Sequence, residues 1–252
     1  MSLSVNIKSA GYKNKPVLSN LNFTLEKGSF TAVIGRNGSG KSTLISVLGG
    51  LLKFNGDMIS DGVSLKELDR KERAKKLSAM LQGLKTPHVT VKELVSFGRN
   101  PYVSLNKPLS ERDLVTINKA IEITSLTSLA DSYMDSISGG EARRAYLAMI
   151  LAQDTDIILL DESTAFMDAS FENDFMKILL GLCRSFNKTI LFVTHNIELA
   201  VEYADNILLM ESGKQTFFGK TIELLNTDMI EKHFGLKRYV SENRTFFSVG
   251  RE

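Results

Sequence analysis

Residues 35–43 have the composition of a loop that binds phosphate. The stretch GRNGSGKST follows the pattern G-x-x-x-x-G-K-[ST] at every specified position. The glycines let successive backbone N–H groups close around phosphate oxygens, the lysine adds a positive charge at the β and γ phosphates, and the serine hydroxyl is a ligand for Mg²⁺. The alternative is a chance glycine turn between a strand and a helix. The predicted nucleoside triphosphate contacts are Gly35, Arg36, Asn37, Gly38, Ser39, Gly40, Lys41, Ser42 and Thr43.

Two adjacent acids, Asp161 and Glu162, follow the apolar run IILL. Short, uniformly apolar runs are typical of strands covered on both faces of a parallel sheet, and ligands collect at the carboxyl ends of such strands. Beside a phosphate loop, Asp161 is expected to hold the metal, usually through water, and Glu162 to polarise an attacking water. The alternative is that the two acids only end a strand.

A second glycine pair stands in SGGE, residues 138–141. Ser138 and Glu141 have the spacing of a capping box, which would start a helix. Gly139 and Gly140 would then fill its first turn, where each is worse than alanine by up to about 1 kcal/mol. Because exposed N–H groups at a helix N-terminus bind anions, the pair predicts a second phosphate contact and leaves open whose phosphate it is.

Strand and helix patterns alternate along the chain and predict an α/β fold. An apolar strand precedes the phosphate loop and a helix follows it, with a turn before that strand at Lys27-Gly28 and a hairpin turn at Asp61-Gly62. Over residues 84–150 the apolar residues recur at helical spacing with almost no strand pattern, which predicts an inserted helical subdomain. The tail, residues 214–252, mixes a hairpin, a helix and a final strand. Residues 1–252 are expected to form a single domain.

Composition excludes several classes of function. The chain has 252 residues, 43% of them hydrophobic and 24% charged, and a net charge of +2, so no nucleic-acid partner is expected. No apolar run approaches the roughly 20 residues of a membrane helix, and the first residues lack the apolar region of a secretory signal. The single cysteine, Cys183, fits a reducing compartment and is expected in the core. His88 and His233 are expected to be surface or packing residues.

The order and spacing of these motifs resemble the ATPase subunit of an ATP-binding cassette (ABC) transporter over nearly the whole chain. SGGE corresponds to the signature of that family. The resemblance implies a P-loop NTPase, RecA-like core with an N-terminal antiparallel β subdomain and an inserted α-helical subdomain that carries the signature. It implies catalytic roles for Gln82, Glu162, His195 and Lys41, with Gln82 also at the Mg²⁺ site beside Ser42 and Asp161.

The same resemblance suggests two further nucleotide contacts. Tyr12 matches the aromatic residue that stacks on adenine, and Asp168 matches the aspartate of the D-loop. A purely structural role is the alternative for three of the residues that the resemblance singles out. Tyr12 is also compatible with a half-buried strand position, Asp168 with a helix cap, and His195 with a helix N-terminus or the core. The departures from the usual family residues are Ile137, Glu141, Ala142, Ser163 and Met167.

The resemblance also answers the question of the second glycine pair. In this family two copies pair head to tail, so that the phosphate loop of one copy and the signature of the other enclose a shared ATP. Ser138, Gly139 and Gly140 are therefore expected to contact the γ-phosphate that Lys41 of the second copy holds. ATP binding would close the pair, and hydrolysis would let it relax.

Residues 89–105 resemble the segment with G-R-x-P-[YHW] in ATPases of importers for ferric siderophores, haem and cobalamin. Packing at Gly98 and a helix stop at Pro101 explain the same residues without a role in import. The resemblance implies an integral membrane permease, a periplasmic or lipoprotein substrate-binding protein, and a place on the cytoplasmic face of the cell membrane. The alternatives are an ATPase of another ABC importer, a soluble ABC ATPase in iron–sulfur cluster assembly, and an interaction module that does not turn over.

Overall fold

The computed structural model describes residues 1–13, 15–81, 83, 85–103, 108–161, 169–241 and 244–249. The strands are β1 Leu3–Tyr12, β2 Lys15–Leu25, β3 Phe30–Gly35, β4 Phe54–Ser60, β5 Val63–Ser64, β6 Leu77–Met80, β7 Ile157–Asp161, β8 Thr189–Val193, β9 Asn206–Glu211, β10 Lys214–Lys220, β11 Leu236–Ser241 and β12 Arg244–Val249. The helices are α1 Lys41–Leu48, α2 Arg70–Ala74, α3 Val91–Ser96, α4 Glu111–Ile123, α5 Gly139–Ala152, α6 Ala169–Phe186, α7 Ile197–Tyr203, α8 Thr221–Leu225 and α9 Met229–Phe234.

The N-terminal strands form an antiparallel sheet in the order β2-β1-β4-β5. Buried and exposed residues alternate along β1 and β4, as expected for strands with one face on the core. The predicted hairpin turn at Asp61-Gly62 is confirmed, because it joins the paired strands β4 and β5. Both turn residues have positive φ, 46° for Asp61 and 80° for Gly62, which is the requirement of a two-residue hairpin loop.

A central sheet has the order β10-β9-β3-β8-β7-β6, with only β10 antiparallel to its neighbour. Every residue of β3, β7 and β8 is buried, in agreement with their uniformly apolar sequences. These three strands are neighbours and run in the same direction. Their carboxyl ends therefore bring Gly35, Asp161 and the residues after Val193 to one edge of the sheet. Gly35 and Asp161 meet there although they are 126 residues apart in sequence.

Two cores lie on opposite faces of the central sheet. One face packs against α5, α6 and α7 through residues such as Leu147, Phe175 and Leu199. The other face packs against α1 and the antiparallel sheet. Cys183 belongs to the first core and is 3% exposed, as predicted, and burial raises the pKa of its thiol to about 12. The helix that begins in the phosphate loop is thus held between two sheets.

Helices α3, α4 and α5 form a third, smaller core. Within residues 84–150, pairing of the β type among the described residues is limited to the bridge between Thr90 and Tyr133. Helix α5 runs two residues past that range and also packs on the central sheet through Leu147 and Ile150. The limits of a separate subdomain stay a prediction, since one helix belongs to both cores.

The tail differs from the predicted hairpin, single helix and final strand. Strand β10 pairs with β9, and two short helices, α8 and α9, then precede the hairpin β11–β12. Between the two helices, Thr227 Oγ1 accepts the N–H of Met229 at 3.3 Å, a local bond of the kind that competes with a continuous helical ladder. Within the described ranges, no helix combines the length and the apolar character that crossing a bilayer requires.

Candidate nucleotide-binding site

The phosphate loop joins the end of β3 to the start of α1. Gly40 has a φ of 101°, and a Cβ there would lie 2.7 Å from Leu18 Cδ2, so the loop requires glycine at this position. Ser39 N donates to Arg36 O at 3.1 Å inside the loop, and Gly213 N donates to Ser39 O at 3.0 Å from the β9–β10 turn. The loop is therefore held both by its own backbone and by a distant turn.

Lys41 is folded into the loop that it follows. Lys41 is only 5% exposed. Its Nζ donates to Gly35 O at 2.8 Å and to Arg36 O at 3.2 Å. The ammonium group thus lies against the backbone of the loop, close to the N-terminus of α1, which favours an anion. This places a positive charge where a triphosphate would be bound.

Ser42 and Asp161 lie together although they are far apart in sequence. Ser42 Oγ donates to Asp161 Oδ1 at 3.3 Å, and Asp161, the last residue of β7, is 4% exposed. A hydroxyl and a carboxylate next to a phosphate loop are the oxygen ligands that Mg²⁺ takes together with substrate phosphates. The pair therefore fits the predicted metal site.

His195 is positioned just after β8, at the same edge of the sheet. Thr194 N donates to Val33 O at 3.2 Å, and Asn196 Oδ1 accepts from Leu199 N at 3.1 Å to cap α7. The exposed His195 between them lines two cavities at the loop. One, of about 420 Å³, is lined by Val17, Asn37, Gly38, Ser39, Gly40, Lys41, Ser42, Thr43 and His195. The other, of about 390 Å³, is lined by Ile34, Gly35, Arg36, Asn37, Thr194, His195, Ile197 and Phe234.

The SGGE segment starts α5 with the predicted capping box. Ser138 Oγ accepts from Glu141 N at 3.3 Å, and Glu141 Oε2 accepts from Ser138 N at 2.8 Å and from Ser138 Oγ at 2.7 Å. These bonds from the hydroxyl and the backbone of Ser138 hold the pKa of Glu141 below its usual value. A Cβ at Gly139 would meet no atom within 4 Å, so packing within the described chain does not require glycine there.

Some of the predicted site residues that the structure describes do not line these cavities. Tyr12 ends β1, is 51% exposed, and does not line either of the two cavities. Ser138, Gly139 and Gly140 do not line them either. Gln82, Glu162 and Asp168 lie outside the described residues. Their roles stay predictions.

Sequence reasoning missed several residues that the fold brings to the loop. Val17 and Phe234 line its cavities, and Gly213 bonds directly to Ser39. His88, predicted as a surface or packing residue, is exposed, stacks on Tyr133 with ring centroids 4.6 Å apart, and contacts Asp135 at 2.7 Å. For Gly213 the only sequence signal was a glycine after a strand, and for Phe234 it was a glycine after a helix. Each by itself indicates no more than a turn or a helix end.

A phosphate loop between β3 and α1, with an acid at the end of a parallel strand beside it, defines a P-loop nucleoside triphosphatase. The sequence matches the ABC transporter family over residues 18–165, and the chain belongs to this family as one of its ATP-binding, ATP-hydrolysing proteins. The fold and the family predicted from the sequence are confirmed.

Relatives of this chain include ATP-binding transport proteins of two bacteria. It is 39% identical to the petrobactin import ATP-binding protein YclP of Bacillus subtilis, over 89% of both chains. It is 37% identical to the ferric enterobactin transport ATP-binding protein FepC of Escherichia coli, over 90% of this chain and 84% of the relative. Both relatives are therefore similar along most of their length.

Solved structures with the same fold include a metal-chelate type ABC transporter in an inward-facing conformation. It has a TM-score of 0.82 and 26% identity, and the match covers 98% of this chain and 95% of that one. The ATP-binding cassette MJ0796, solved as a dimer in a post-hydrolysis state with ADP and phosphate, has a TM-score of 0.74 and 25% identity over 88% and 99% of the chains.

Proposed function

We propose that this chain is the ATP-hydrolysing subunit of an importer for a ferric siderophore or a related metal chelate such as haem or cobalamin. The observation that carries ATP hydrolysis is the junction of the phosphate loop with Asp161, where Lys41 Nζ lies in the loop and Ser42 Oγ lies 3.3 Å from the carboxylate. Import of a chelate is supported by the named activities of the relatives.

Each residue of the junction has a separate task in hydrolysis. Lys41 exchanges its bonds to loop carbonyls for bonds to the β and γ phosphates. Ser42 and Asp161 would hold the metal ion, Mg²⁺, which would supply positive charge to offset the negative charge of the phosphates. Glu162 polarises the attacking water, and His195, which lines both cavities, contacts the γ-phosphate. The reaction breaks the bond between the β–γ bridging oxygen and the γ-phosphorus and releases ADP and phosphate.

The chain acts as a head-to-tail dimer in this proposal. Gly139 is exposed and has open space where a side chain would stand, which suits an approach by the phosphate of a second copy. The capping box already supplies Ser138 and the N–H groups of a helix N-terminus for that contact. The related cassette solved as a dimer with ADP and phosphate supports the pairing of two copies.

A surface beside α2 suits the membrane permease. It is a cleft of about 480 Å³ next to Leu51, which is 65% exposed. The cleft is lined by Gly49, Gly50, Leu51, Leu68, Arg70, Arg73, Ala74, Leu77, Ala79, Leu81 and Gln153. A permease docked there would hold the chain at the cytoplasmic face of the membrane, and a periplasmic or lipoprotein substrate-binding protein would deliver the chelate from the other side.

The alternative of a soluble assembly ATPase differs in its partner. Co-purification of the chain with a polytopic membrane protein would support the importer. Absence of the chain from the membranes of its native host would support the assembly role. Steady phosphate release by the purified chain excludes an interaction module that does not turn over.

Replacing Glu162 with glutamine tests the proposed chemistry. Glu162→Gln removes the group that polarises water but leaves the phosphate loop intact. Phosphate release is expected to fall by about 10²–10⁴-fold, while ATP still binds and the dimer accumulates in size-exclusion chromatography. The exposed acid Glu67, changed to glutamine, is the matched control and should keep full activity. Phosphate release by Glu162→Gln within a few fold of the control would remove Glu162 from the mechanism.

A further inference from the structure

Helix α9 carries a buried histidine close to the phosphate loop. The side chain of His233 is 6% exposed, and its Nδ1 lies 3.7 Å from Glu211 Oε1. Its ring meets Phe234 edge-on, with centroids 4.7 Å apart and an interplanar angle of 70°. Among the described residues, Nε2 has no hydrogen-bond partner. A buried polar atom without a partner costs free energy, so a buried imidazole of this kind is a candidate for a functional role.

Glu211 connects this imidazole to the loop through the β9–β10 turn. Glu211 is the last residue of β9, and Gly213, two residues later, donates its N–H to Ser39 O at 3.0 Å. The carbonyl of Gly213 accepts from Ser19 N at 2.9 Å, which ties the same turn to β2. A change in the contact between His233 and Glu211 therefore acts on the turn that holds the phosphate loop.

Phe234 provides a second connection. Its ring lines the 390 Å³ cavity together with the loop residues Gly35, Arg36 and Asn37 and with His195. Because the edge of one ring rests on the other, the position of His233 sets the position of Phe234 in the cavity wall.

The charges around His233 come from the phosphate loop and from α1, α9, β9 and β11. Burial lowers the pKa of His233, Glu211 of β9 opposes this, and the positive charges of Arg36 in the loop and Lys41 in α1 lower it further. On α9 itself, Glu231 is paired with Arg238 of β11 at 3.0 Å, and Lys232 with Asp228 at 2.7 Å. With a pKa below its ordinary 6.5, the imidazole is neutral at pH 7.

We propose that His233 is a positioning residue of the ATP site, which supports the phosphate loop through Glu211 and Phe234 and gains a proton when a nucleoside triphosphate occupies the loop. This inference rests on the proposed ATP-hydrolysing function. A bound triphosphate offsets the charges of Arg36 and Lys41, so the imidazolium that faces Glu211 becomes favoured. Since binding of the triphosphate and of the proton favour each other, the triphosphate binds more tightly as pH falls.

Isothermal titration calorimetry with the β,γ-imido analogue of ATP and Mg²⁺ tests the proposal. Titrations in buffers of different ionisation enthalpy give the protons taken up on binding, and the nucleotide's own protons are common to all chains. The wild-type chain and the matched control His88→Gln should take up more protons than His233→Gln. Between pH 6 and 7, the dissociation constants of these two chains for the analogue should rise by up to about tenfold more than that of His233→Gln. Tenfold per pH unit is about the limit for the uptake of one proton.

A second variant separates loss of the proton from loss of the fold. The side chain of Glu211 is 57% exposed, so Glu211→Gln should leave the core intact. This variant should also reduce proton uptake, because the imidazolium of His233 would no longer face a carboxylate. Equal proton uptake by His88→Gln, His233→Gln and Glu211→Gln, with nucleotide bound by all three, would overturn the role of His233. A wild-type chain that binds no nucleotide would instead overturn the proposed function, and this inference with it.

Discussion

The candidate residues of the nucleotide site are held by bonds that a ligand would have to share or replace. Lys41 donates to carbonyls of its own loop, and Ser42 donates to Asp161. Ser138 is bonded to Glu141 in the capping box of α5. Such bonds pre-position polar side chains, so less ordering is required when phosphate binds.

Glu141 gives a prediction at the scale of one residue. Its pKa lies below the ordinary 4.5, with the Ser138 hydroxyl as the largest cause and the Ser138 N–H as the next. The ionised carboxylate therefore stabilises the fold above pH 4.5, and this contribution is lost as pH falls through the lowered pKa. Glu141→Gln keeps the geometry of the box without the charge and should cost about 0.5 kcal/mol at pH 7.

Urea unfolding at pH 7 and pH 3.5 measures this difference. The stability of Glu141→Gln should fall less between the two pH values than that of the wild-type chain. Glu122→Gln, at an exposed position of α4, is the control and should follow the wild type. A pH dependence of Glu141→Gln equal to that of Glu122→Gln would show that the charge has no role in the cap.

At the scale of elements, residues 98–102 (GRNPY) hold the helices of the helical region together. Arg99 is 5% exposed, donates from Nε to Asp113 Oδ1 at 2.8 Å and from Nη1 to Ala152 O at 2.8 Å, and stacks under Tyr102. It thereby joins the segment after α3 to α4 and to the end of α5. Packing explains Gly98 and Arg99 without a contact to any partner.

Gly98→Ala is expected to destabilise the chain. A Cβ at Gly98 would lie 2.2 Å from Met149 O, so the segment after α3 must move away from α5. Overpacking of this kind costs about 1–3 kcal/mol. The matched control is Gly181→Ala in the middle of α6, where a Cβ meets no atom within 4 Å and alanine should stabilise the helix by up to about 1 kcal/mol. Thermal unfolding followed by circular dichroism compares the two, and equal melting temperatures would contradict the packing argument.

At the scale of the whole molecule, the phosphate loop and the SGGE segment belong to different parts of the surface. The loop lies at the carboxyl edge of the central sheet, whereas SGGE begins the helix that links the helical region to that sheet. The two cavities at the loop are lined without a residue of SGGE. A second copy supplies the missing half in the proposed dimer.

Mixing two inactive chains tests this shared site. Lys41→Ala removes the loop charge, and Ser138→Arg blocks the signature, so each chain alone should release little phosphate. In an equal mixture half of the dimers are mixed and each has one intact pair, so about a quarter of wild-type phosphate release is expected. Lys41→Ala mixed with the double variant Lys41→Ala/Ser138→Arg has no intact pair and is the control. A mixture no more active than this control would contradict the shared site.

The sequence alone determined the features that depend on neighbouring residues. The phosphate loop is readable because its glycines, lysine and serine are contiguous, and the positive φ of Gly40 is a local property. The hairpin turn at Asp61-Gly62 and the capping box at Ser138 are readable for the same reason. The family followed from the order of these local motifs.

Only the tertiary structure decided which distant residues meet at the loop. Asp161 reaches Ser42 because β7, β8 and β3 are neighbours in the sheet, and Gly213 reaches the loop from the turn between β9 and β10. Phe234 and His233 come from a tail for which the sequence predicted too few elements. Strand order and helix packing result from burial of apolar surface summed over the whole chain. A local pattern of residues states which face is apolar, but not which other surface will cover it.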